Sequence, residues 1–322
     1  MPAPKVPVMD DLLSPQPFAD TFITAKGETR ASVAWNGLTT LWLNSGTLCN
    51  IECANCYIES SPKNDRLVYL KHSDVIPFLD EVDALGEGAK EIGITGGEPF
   101  MCPDILLIME DILARGHRLL LLTNAMQPMM RKRIREGLIA LKAKFHRQMI
   151  LRVSMDHHGE KLHDEERGAG AYAHAIKGLS WLAEHGFQTA IAGRQVLNED
   201  ETTARAAYGA LIARLGLDIN PADPARLVLF PEMTSTDMPP EVTTACWDIL
   251  KVDPNDMMCA SQRMVVRKKG AHKAVVMPCT LLAYEDRFEM GSTLREATLS
   301  PVHLNHRWCA EFCVLGGGSC SV

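Results

Sequence analysis

Residues 40–57, TLWLNSGTLCNIECANCY, join a strand-like apolar run to a loop that carries three cysteines. Cys49, Cys53 and Cys56 follow the spacing C-x3-C-x2-C, and three thiolates this close can hold one compact soft-metal centre. A four-iron cluster held by three ligands leaves one iron open to a substrate or cosubstrate. Zinc would need a fourth ligand, and the nearest histidine, His72, lies sixteen residues beyond the third cysteine. The spacing therefore favours an iron–sulfur centre, with three packed, buried cysteines as the alternative.

Outward from this loop, the chain alternates strand-like apolar runs with helix-length segments. We predict strands at residues 40–46, 91–95, 118–124, 149–156, 187–193 and 226–232. We predict helices at residues 75–85, 104–116, 130–144, 172–186 and 204–216, several of which end at a glycine. Strands joined by helical crossovers form a parallel sheet, and the loops at the strand carboxyl ends carry the chemistry. Six units are too few for an eight-stranded barrel of roughly 250 residues, so we predict an α/β fold with a partial, open barrel over residues 40–238.

The composition of the 322-residue chain excludes several classes of protein. Hydrophobic residues make up 46% of it, which rules out intrinsic disorder and supports a large core. The 33 Lys and Arg against 40 Asp and Glu give a net charge of −7, so we expect no nucleic-acid partner. We find no signal-peptide run and no window of about 18 apolar residues, so we expect neither export nor a membrane partner. We therefore predict a cytoplasmic protein, in which the ten cysteines are not expected to form disulfides and are available to bind metal.

The pattern changes after about residue 240, where six of the ten cysteines lie. Residues 264–279 contain two strand-like runs around Gly270, which predicts a hairpin. The rest of this region is polar and poor in apolar runs, so we predict that residues 239–322 form a small domain that depends on metal for its stability. Residues 1–39 are interpreted as a tail and lead-in to the barrel.

The three-cysteine loop after the first predicted strand resembles the signature of the radical S-adenosylmethionine (SAM) enzymes, and the resemblance covers most of the chain. It implies a partial (β/α)6 barrel in which Cys49, Cys53 and Cys56 hold a [4Fe-4S] cluster, with the SAM amino and carboxyl groups on the open iron. It also implies that an electron cleaves SAM to methionine and a 5′-deoxyadenosyl radical, which abstracts hydrogen from the substrate. A reductant such as flavodoxin or ferredoxin would supply this electron.

Polar residues at the ends of later predicted strands resemble the family's SAM-binding positions. In Gly96-Gly97-Glu98 the glycines permit close backbone approach, and Glu98 offers an anion to the SAM amino group, as the family's GGE motif does. By the same resemblance, Ser154 in the VSMD stretch (153–156) reaches the SAM ribose. The residues implied to bind the cofactor are Asn55, Gly96, Gly97, Glu98, Thr123, Asn124, Ser154 and Arg194.

Several of these positions also have a purely structural interpretation. Gly96-Gly97 can form a sharp turn, and Ser154 can cap the next helix. Arg194 is either a bidentate partner of the SAM carboxylate or a surface residue. Asn55 departs from the family, in which the residue before the third cysteine is commonly aromatic and packs on adenine; Asn can hydrogen-bond there but cannot stack.

Three further residues near the predicted site are given no role in the chemistry. Cys102 stands alone in the sequence, and we expect a packed thiol there rather than a fourth cluster ligand. His157 and His158 follow the fourth predicted strand, in a loop beside the same face of the barrel, where we expect solvated polar side chains.

The cysteines of the C-terminal region resemble the SPASM or shorter twitch extension of radical SAM enzymes, which binds auxiliary iron–sulfur clusters. The run that ends the chain lacks the closely spaced cysteines of full SPASM domains, so one auxiliary [4Fe-4S] cluster is favoured over two. Its ligands would be four of Cys259, Cys279, Cys309, Cys313 and Cys320, with Cys246 slightly upstream as a sixth thiol. A structural zinc site is the alternative.

These motifs, in this order, predict a radical SAM enzyme that acts on a peptide side chain or a small cofactor precursor. A non-catalytic iron–sulfur electron carrier or redox sensor would not need the GGE turn, the VSMD strand end or an open three-cysteine site. A zinc-stabilised binding module would explain the C-terminal cysteines but not the first three. Only 39 residues precede the first predicted strand, so we expect a peptide leader to be recognised by another protein or not at all.

Overall fold

The computed structural model describes residues 16–195, 199–231 and 238–319. Its strands are β1 (Ser32–Val33), β2 (Thr40–Asn44), β3 (Glu91–Thr95), β4 (Arg118–Thr123), β5 (Met149–Ser154), β6 (Thr189–Arg194), β7 (Leu227–Phe230), β8 (Gln262–Val266), β9 (Val275–Met277) and β10 (Val302–His303). Its α-helices are α1 (His72–Ala84), α2 (Ile105–Ala114), α3 (Lys132–Phe145), α4 (Glu160–Arg167), α5 (Ala171–Glu184), α6 (Glu201–Leu215), α7 (Cys246–Leu250) and α8 (Met258–Ser261). A π-helix spans Cys309–Leu315, and short 3₁₀ turns occur at Pro99–Met101, His146–Gln148, Pro254–Asp256, Thr280–Leu282, Asp286–Phe288 and Glu296–Thr298.

One sheet of eight strands, in the order β7-β6-β5-β4-β3-β2-β8-β9, organises the chain. From β2 to β7 every neighbouring pair is parallel and follows chain order. Helices α1, α2, α3, α5 and α6 lie between these strands in the sequence, as crossovers of a parallel sheet must. Each predicted strand and helix of the barrel overlaps an observed one, so the predicted α/β fold with a partial (β/α)6 barrel is confirmed.

Helix α4 is absent from the sequence-based prediction. Its sequence, EKLHDEER, contains one buried side chain, that of His163, so it shows no apolar period that would predict a helix. Glu160 in its first turn and Arg167 in its last turn both have the sign of charge that the helix dipole favours. This short charged helix follows β5 and brings its last residue to the carboxyl end of the sheet.

The two faces of the sheet pack against different cores because successive strand residues point to opposite sides. In β2, Leu41 and Leu43 belong to a core shared with buried residues of the crossover helices, whereas Trp42 belongs to a second core. The Trp42 indole Nε1 donates to Gln262 Oε1 at 2.9 Å. A Cβ on Gly93 of β3 would lie 2.3 Å from the Trp42 ring, so only glycine leaves room for this side chain.

The C-terminal region is built onto the barrel sheet. The predicted hairpin is present as β8 and β9, and β8 pairs in parallel with β2, with Thr40 opposite Gln262. The region is poor in apolar runs, yet it contributes to an apolar core: Met264, Leu282 and Phe312 pack in one cluster with Trp42 of the barrel. Their apolar positions are scattered along the sequence, and the barrel supplies the surface that they bury.

The lead-in before the barrel contacts the C-terminal region. Strand β1 pairs antiparallel with β10, with Val33 opposite Val302. The buried side chain of Arg30 forms an ion pair with Glu241 at 2.6 Å. Among the helices of the described ranges, none combines the length and the apolar character needed to cross a lipid bilayer.

Candidate active site

A cavity of about 1110 Å³, part of it open to solvent, lies at the carboxyl ends of the parallel strands. The polar part of its lining is Cys49, Cys53, Cys56, Ser60, Thr95, Gly96, Gly97, Thr123, Asn124, Ser154, Asp156, Arg167 and Arg194. Nine of the eleven residues predicted to bind the first cluster or SAM are in this set. The two that are not, Asn55 and Glu98, therefore need a separate explanation.

The three-cysteine loop is anchored to the segment that directly follows it in the chain, residues 60–61. The Cys49 amide donates to the Ser61 carbonyl at 3.1 Å, and the Ser60 amide donates to Cys56 Sγ at 3.3 Å. Burial raises the pKa of the Cys49 thiol to about 12 and also raises the pKa of Cys53. The free Cys49 and Cys53 thiols are therefore protonated at neutral pH, and a soft metal centre that binds them displaces protons.

The Gly96-Gly97 turn packs directly on the start of the cysteine loop. The Gly97 amide donates to the Gly46 carbonyl at 2.8 Å, and the Glu98 amide donates to the Leu48 carbonyl at 3.2 Å. A Cβ on Gly97 would lie 2.3 Å from the Leu48 carbonyl oxygen, and Gly96 has φ +136°. Glycine is needed here because two backbones approach closely, and this packing leaves the turn exposed to the cavity along one side.

Glu98 lies behind the cavity wall, almost completely buried. Its carboxylate accepts hydrogen bonds from Thr123 Oγ1 at 2.8 and 3.0 Å, from the Asn124 amide at 2.9 Å and from the Phe100 amide at 3.1 Å. Burial raises the pKa of Glu98 to about 7 in spite of these donors. The carboxylate thus holds the end of β4 in position, and its contact with a SAM amino group stays a prediction.

Asp156 and two arginines form an ion-pair network at the cavity wall. Arg167 donates to the Asp156 carboxylate through Nε at 2.7 Å and Nη2 at 3.2 Å, and Arg194 Nε lies 3.4 Å from Asp156 Oδ1. Burial alone would raise the pKa of Asp156, but the charge of Arg167 holds it below its usual range. The network orients two guanidinium groups at the cavity beside the cysteine loop.

Arg167 is a charged residue of the cavity lining that the sequence analysis missed. It ends helix α4, whose charged sequence gives no apolar period. The available signal was Asp156, an acid that ends an apolar strand run: such a carboxylate is buried by the fold and requires a cation near it. The sequence does not identify which arginine supplies that cation.

Asn55 is not part of the cavity lining and connects the cysteine loop to α4. Its Nδ2 donates to both carboxylate oxygens of Glu166, at 2.9 and 3.0 Å, and the Ala54 amide donates to the Glu166 carbonyl at 2.8 Å. Arg194 Nη2 donates to the Asn55 carbonyl at 2.8 Å. These contacts hold Asn55 against α4, and its contact with the cofactor stays a prediction.

The remaining polar residues of the cavity come from the ends of β4 and β5. Asn124 Nδ2 donates to Asn50 Oδ1 at 2.9 Å, which connects the end of β4 to the cysteine loop. Thr123 is oriented by its bond to Glu98. Ser154 is half-buried at the end of β5 and lines the cavity.

The structure changes the interpretation of His157 and His158, which we expected to be solvated. His157 is buried, and its Nε2 lies 3.7 Å from the Glu199 carboxylate, while His158 Nε2 lies 3.0 Å from the same carboxylate. Two histidines and a carboxylate are the ligand types of many zinc sites. However, the Gly159 amide donates to His157 Nδ1 at 2.9 Å, which leaves the proton of the neutral ring on Nε2. A protonated nitrogen cannot bind a metal ion, and at 3.7 Å it lies too far from Glu199 Oε2 for a hydrogen bond. Of the two histidines, only His158 bonds to this carboxylate.

The C-terminal cysteines lie in the core that fills the barrel. Cys259, Cys279 and Cys309 are buried there, and the half-buried Cys313 packs against the same core. Burial raises the pKa of Cys259 to about 11 and that of Cys309 to about 12. Within the described ranges, no three of these thiols lie within 4.8 Å of one another, as ligands of a single zinc ion would. Cys320, the fifth predicted ligand, lies outside the described residues.

Two other cysteines lie apart from both groups. Cys102 is completely buried in the core beneath the crossover helices, and its thiol donates to the Leu70 carbonyl at 3.3 Å. Cys246 is half-buried at the start of α7, where its Sγ accepts from the Thr243 amide at 3.4 Å. Neither thiol lines the cavity.

The rest of the cavity lining is mostly apolar and comes from three parts of the chain. The cysteine loop contributes Ile51, Tyr57 and Ile58, and the barrel strands and the segments after them contribute Leu122, Ala192, Phe230 and Pro231. The C-terminal region contributes Leu281 and Phe312, and the rings of Phe230 and Phe312 lie 5.9 Å apart. The C-terminal region therefore forms part of the cavity that contains the three cysteines.

Comparison with known proteins identifies relatives of this chain. A family model of the Radical SAM superfamily matches residues 43–205, just over half of the chain. The antilisterial bacteriocin subtilosin biosynthesis protein AlbA of Bacillus subtilis (strain 168) is 32% identical over 146 residues, which cover 45% of this chain and 30% of AlbA. The chain thus spans less than a third of the length of this curated relative.

Two solved structures share the fold. Streptococcus suis SuiB, in a crystal structure bound to S-adenosylmethionine, has a TM-score of 0.57 and 13% identity, covering 79% of this chain and 63% of SuiB. Native anSMEcpe, in a structure with AdoMet and the Cp18Cys peptide, has a TM-score of 0.55 and 13% identity, covering 82% of this chain and 81% of anSMEcpe. At these identities the similarity establishes the architecture.

Proposed function

The chain belongs to the radical SAM superfamily of enzymes, and we propose that it uses SAM to abstract hydrogen from a side chain of a peptide substrate. Support comes above all from one observation: Cys49, Cys53 and Cys56 converge on one cavity at the carboxyl ends of the barrel strands. When bound, a [4Fe-4S] cluster would supply the electron that cleaves SAM to methionine and a 5′-deoxyadenosyl radical. A simple electron carrier would have no need of a cavity beside its cysteines.

The donor set fits a cluster with one open iron. Three thiols from one short loop line the cavity, and a four-iron cluster needs only three of them to leave a site for another ligand. Arg167 places a positive charge close enough to lower the pKa of Cys53 against the effect of burial. That charge favours thiolates and the anionic cluster that they would hold.

The polar wall also provides groups of the right chemistry for SAM. We propose that Arg167 and Arg194 bind its carboxylate, because both guanidinium groups line the cavity and Asp156 already holds them in position. Ser154 can donate to a ribose hydroxyl from the end of β5. Glu98 acts as a positioning residue that holds Thr123 and the Asn124 amide.

A peptide is the substrate that the relatives favour over a small cofactor precursor. The AlbA relative acts in biosynthesis of a bacteriocin, and the anSMEcpe structure contains a peptide. The apolar half of the cavity, with Phe230, Leu281 and Phe312, is suited to an uncharged side chain of such a peptide.

We further propose that residues 40–238 form the catalytic barrel, that residues 239–322 form an auxiliary-cluster extension, and that residues 1–39 form a lead-in. The extension would hold a second [4Fe-4S] cluster through four of the five cysteines Cys259, Cys279, Cys309, Cys313 and Cys320. An electron donor such as flavodoxin or ferredoxin would reduce the enzyme. No three of the described thiols lie within 4.8 Å of one another, which favours a multi-iron cluster over a single zinc ion at this site.

The central test measures SAM cleavage. Anaerobically reconstituted protein, reduced with dithionite and given SAM, is expected to release 5′-deoxyadenosine, quantified by chromatography. Replacing Cys49, Cys53 and Cys56 together with Ala should reduce this to the level of the protein-free reaction. Cys102→Ala is the matched control, since this buried thiol lies outside the cavity and should leave the output unchanged. Equal output from the triple variant and the wild type would refute the proposal.

The peptide assignment has its own test. Mass spectrometry of a candidate precursor peptide, incubated with the reduced enzyme and SAM, should show a mass change that is absent with the triple variant. If peptides remain unmodified while a small precursor is converted, the assignment of the substrate is wrong and the SAM chemistry stands.

A further inference from the structure

A second cleft lies at the amino ends of the parallel strands, opposite the end that carries the three cysteines. Its volume is about 770 Å³, part of it open to solvent, which is within the usual range for small-molecule sites. The lining comes from the starts of β3 and β4, from residues 147–152 in and before β5, and from residues 225–226 before β7. Among the described residues, none lines both this cleft and the candidate active site. We call this separate site the amino-end cleft.

The amino-end cleft is rich in positive charge, although the chain as a whole has a net charge of −7. Its described lining contains one carboxylate, that of Glu91, and four arginines, Arg118, Arg147, Arg152 and Arg226. The half-buried Glu91 already accepts a hydrogen bond from Thr40 Oγ1 at 3.4 Å. One carboxylate cannot neutralise four guanidinium groups, and a cleft with an excess of one charge attracts ligands of the opposite sign.

Two of the four arginines are held in place by the fold. Arg152, in β5, lines the cleft although only 3% of it is exposed. Arg226 donates through Nε to the Thr189 carbonyl at 2.9 Å and through Nη2 to the Asp218 carbonyl at 3.2 Å. These contacts of Arg226 orient its guanidinium without a carboxylate, so its charge remains available to a ligand. Side chains that are already ordered lose little conformational entropy when a ligand binds.

The other two arginines lie at the opening of the cleft. Arg118 and Arg147 are exposed, and their side chains form no hydrogen bond or ion pair with any residue in the described ranges. Arg118 begins β4, and Arg147 lies just before β5. The parallel pairing of Leu119 with Met149 brings both arginines to the same edge of the sheet. Two guanidinium groups without protein partners therefore border a cleft that contains two oriented ones.

We propose that the amino-end cleft binds the phosphoryl group of a small anionic ligand. A guanidinium donates two parallel hydrogen bonds to a carboxylate or a phosphate. A phosphoryl group has three terminal oxygens and close to two negative charges, so it can accept from several arginines at once, whereas one carboxylate is matched by one guanidinium. The half-buried Ile150 and Ala225 add an apolar surface that suits the organic part of a phosphate ester. This site goes beyond the proposed SAM chemistry and does not depend on it.

The test is isothermal titration calorimetry on the anaerobically reconstituted full chain at constant ionic strength. Phenyl phosphate and inorganic phosphate are the probes, and they distinguish an ester from the free ion as the source of the phosphoryl group. The tighter of the two should bind with a Kd below about 1 mM. Malonate, a dianion that carries carboxylates instead, should bind at least tenfold more weakly. Binding of malonate as tight as that of either phosphate would overturn the phosphoryl assignment.

Substitutions at the opening of the cleft locate the binding site. Arg118→Gln and Arg147→Gln should each weaken phosphate binding roughly tenfold or more, because each removes charge-assisted hydrogen bonds. Both side chains are exposed, so the variants should keep the fold and release as much 5′-deoxyadenosine from SAM as the wild type. Arg295→Gln is the matched control, because it removes an exposed arginine that lies outside the cleft and should leave phosphate binding unchanged.

Two results would overturn the amino-end cleft as the site. One is phosphate affinity that stays at the wild-type value in the double variant Arg118→Gln/Arg147→Gln. The other is phosphate affinity that is lost in Arg194→Gln but kept in this double variant, which would assign the anion to the candidate active site. Loss of SAM cleavage in the wild type, with phosphate binding intact, would count against the proposed function and leave the amino-end cleft in place.

Discussion

Replacing Asp156 with Asn should expose how strongly the ion-pair network holds the candidate site together. The substitution keeps the shape of the side chain but removes the charge that faces Arg167 at 2.7 and 3.2 Å and Arg194 at 3.4 Å. Arg167 then remains buried without its carboxylate partner. Because the Arg194 contact is longer and this side chain is more exposed, most of the effect should come from Arg167.

The expected loss of stability is about 3–5 kcal/mol, the range for a buried pair from which one partner is removed. Only 7% of the Asp156 side chain and 11% of the Arg167 side chain are exposed, so water screens this pair weakly. A loss of this size is a large fraction of the roughly 5–15 kcal/mol that stabilises a typical folded domain. The double variant Asp156→Asn/Arg167→Gln also removes the positive charge of Arg167. It should recover part of the lost stability, because Arg167 is then no longer a buried cation without a partner.

Urea unfolding under anaerobic conditions, followed by circular dichroism, measures these differences. The pH dependence gives a second readout with a definite sign. The pKa of Asp156 is lowered in the folded state, so its contribution is present at neutral pH and is lost as the pH falls through that lowered value. The gap between wild type and Asp156→Asn should therefore narrow in acid. A loss below about 1 kcal/mol, or a gap that does not change with pH, would contradict the role assigned to this network.

Three further substitutions test neighbouring features. Glu98→Gln should flatten the pH dependence of stability between about pH 4.5 and 7, because the pKa of Glu98 is raised to about 7 and the wild-type protein loses stability as the pH rises through this window. Urea unfolding at several pH values measures this slope, and an equal slope in the variant and the wild type would contradict the assignment. Gly97→Ala should destabilise the protein by about 1–3 kcal/mol through the clash with the Leu48 carbonyl, whereas the control Gly209→Ala in helix α6 should not. Equal melting temperatures of Gly97→Ala and the wild type would contradict the close approach of Gly97 to Leu48. Cys102→Ala should leave the iron content unchanged, and a loss of iron would make this thiol a ligand.

Local sequence patterns predicted most of the architecture. The alternation of strand-like runs and helix-length segments identified six parallel strands and five crossover helices, because each pattern is contained within 5 to 15 neighbouring residues. Helix α4 was not predicted, because its stability comes from charges and from contacts with other elements rather than from an apolar period. The core of the C-terminal region could not be predicted for a related reason: Met264, Leu282 and Phe312 are apolar at scattered positions and bury their surface against Trp42 of the barrel.

The candidate site also has features that the sequence predicted and features that only the tertiary structure decided. Sequence spacing alone determined the three-cysteine loop, the glycine turn and the polar strand ends that line the cavity, because a parallel sheet brings all strand carboxyl ends to one edge. Only the tertiary structure decided which polar side chains face that cavity and which form hydrogen bonds with other residues of the protein. Glu98 bonds to the end of β4, and Asn55 bonds to Glu166, 111 residues away in the sequence. The physical reason is that a buried charge or amide must find a partner in space, and the identity of that partner depends on how distant segments pack.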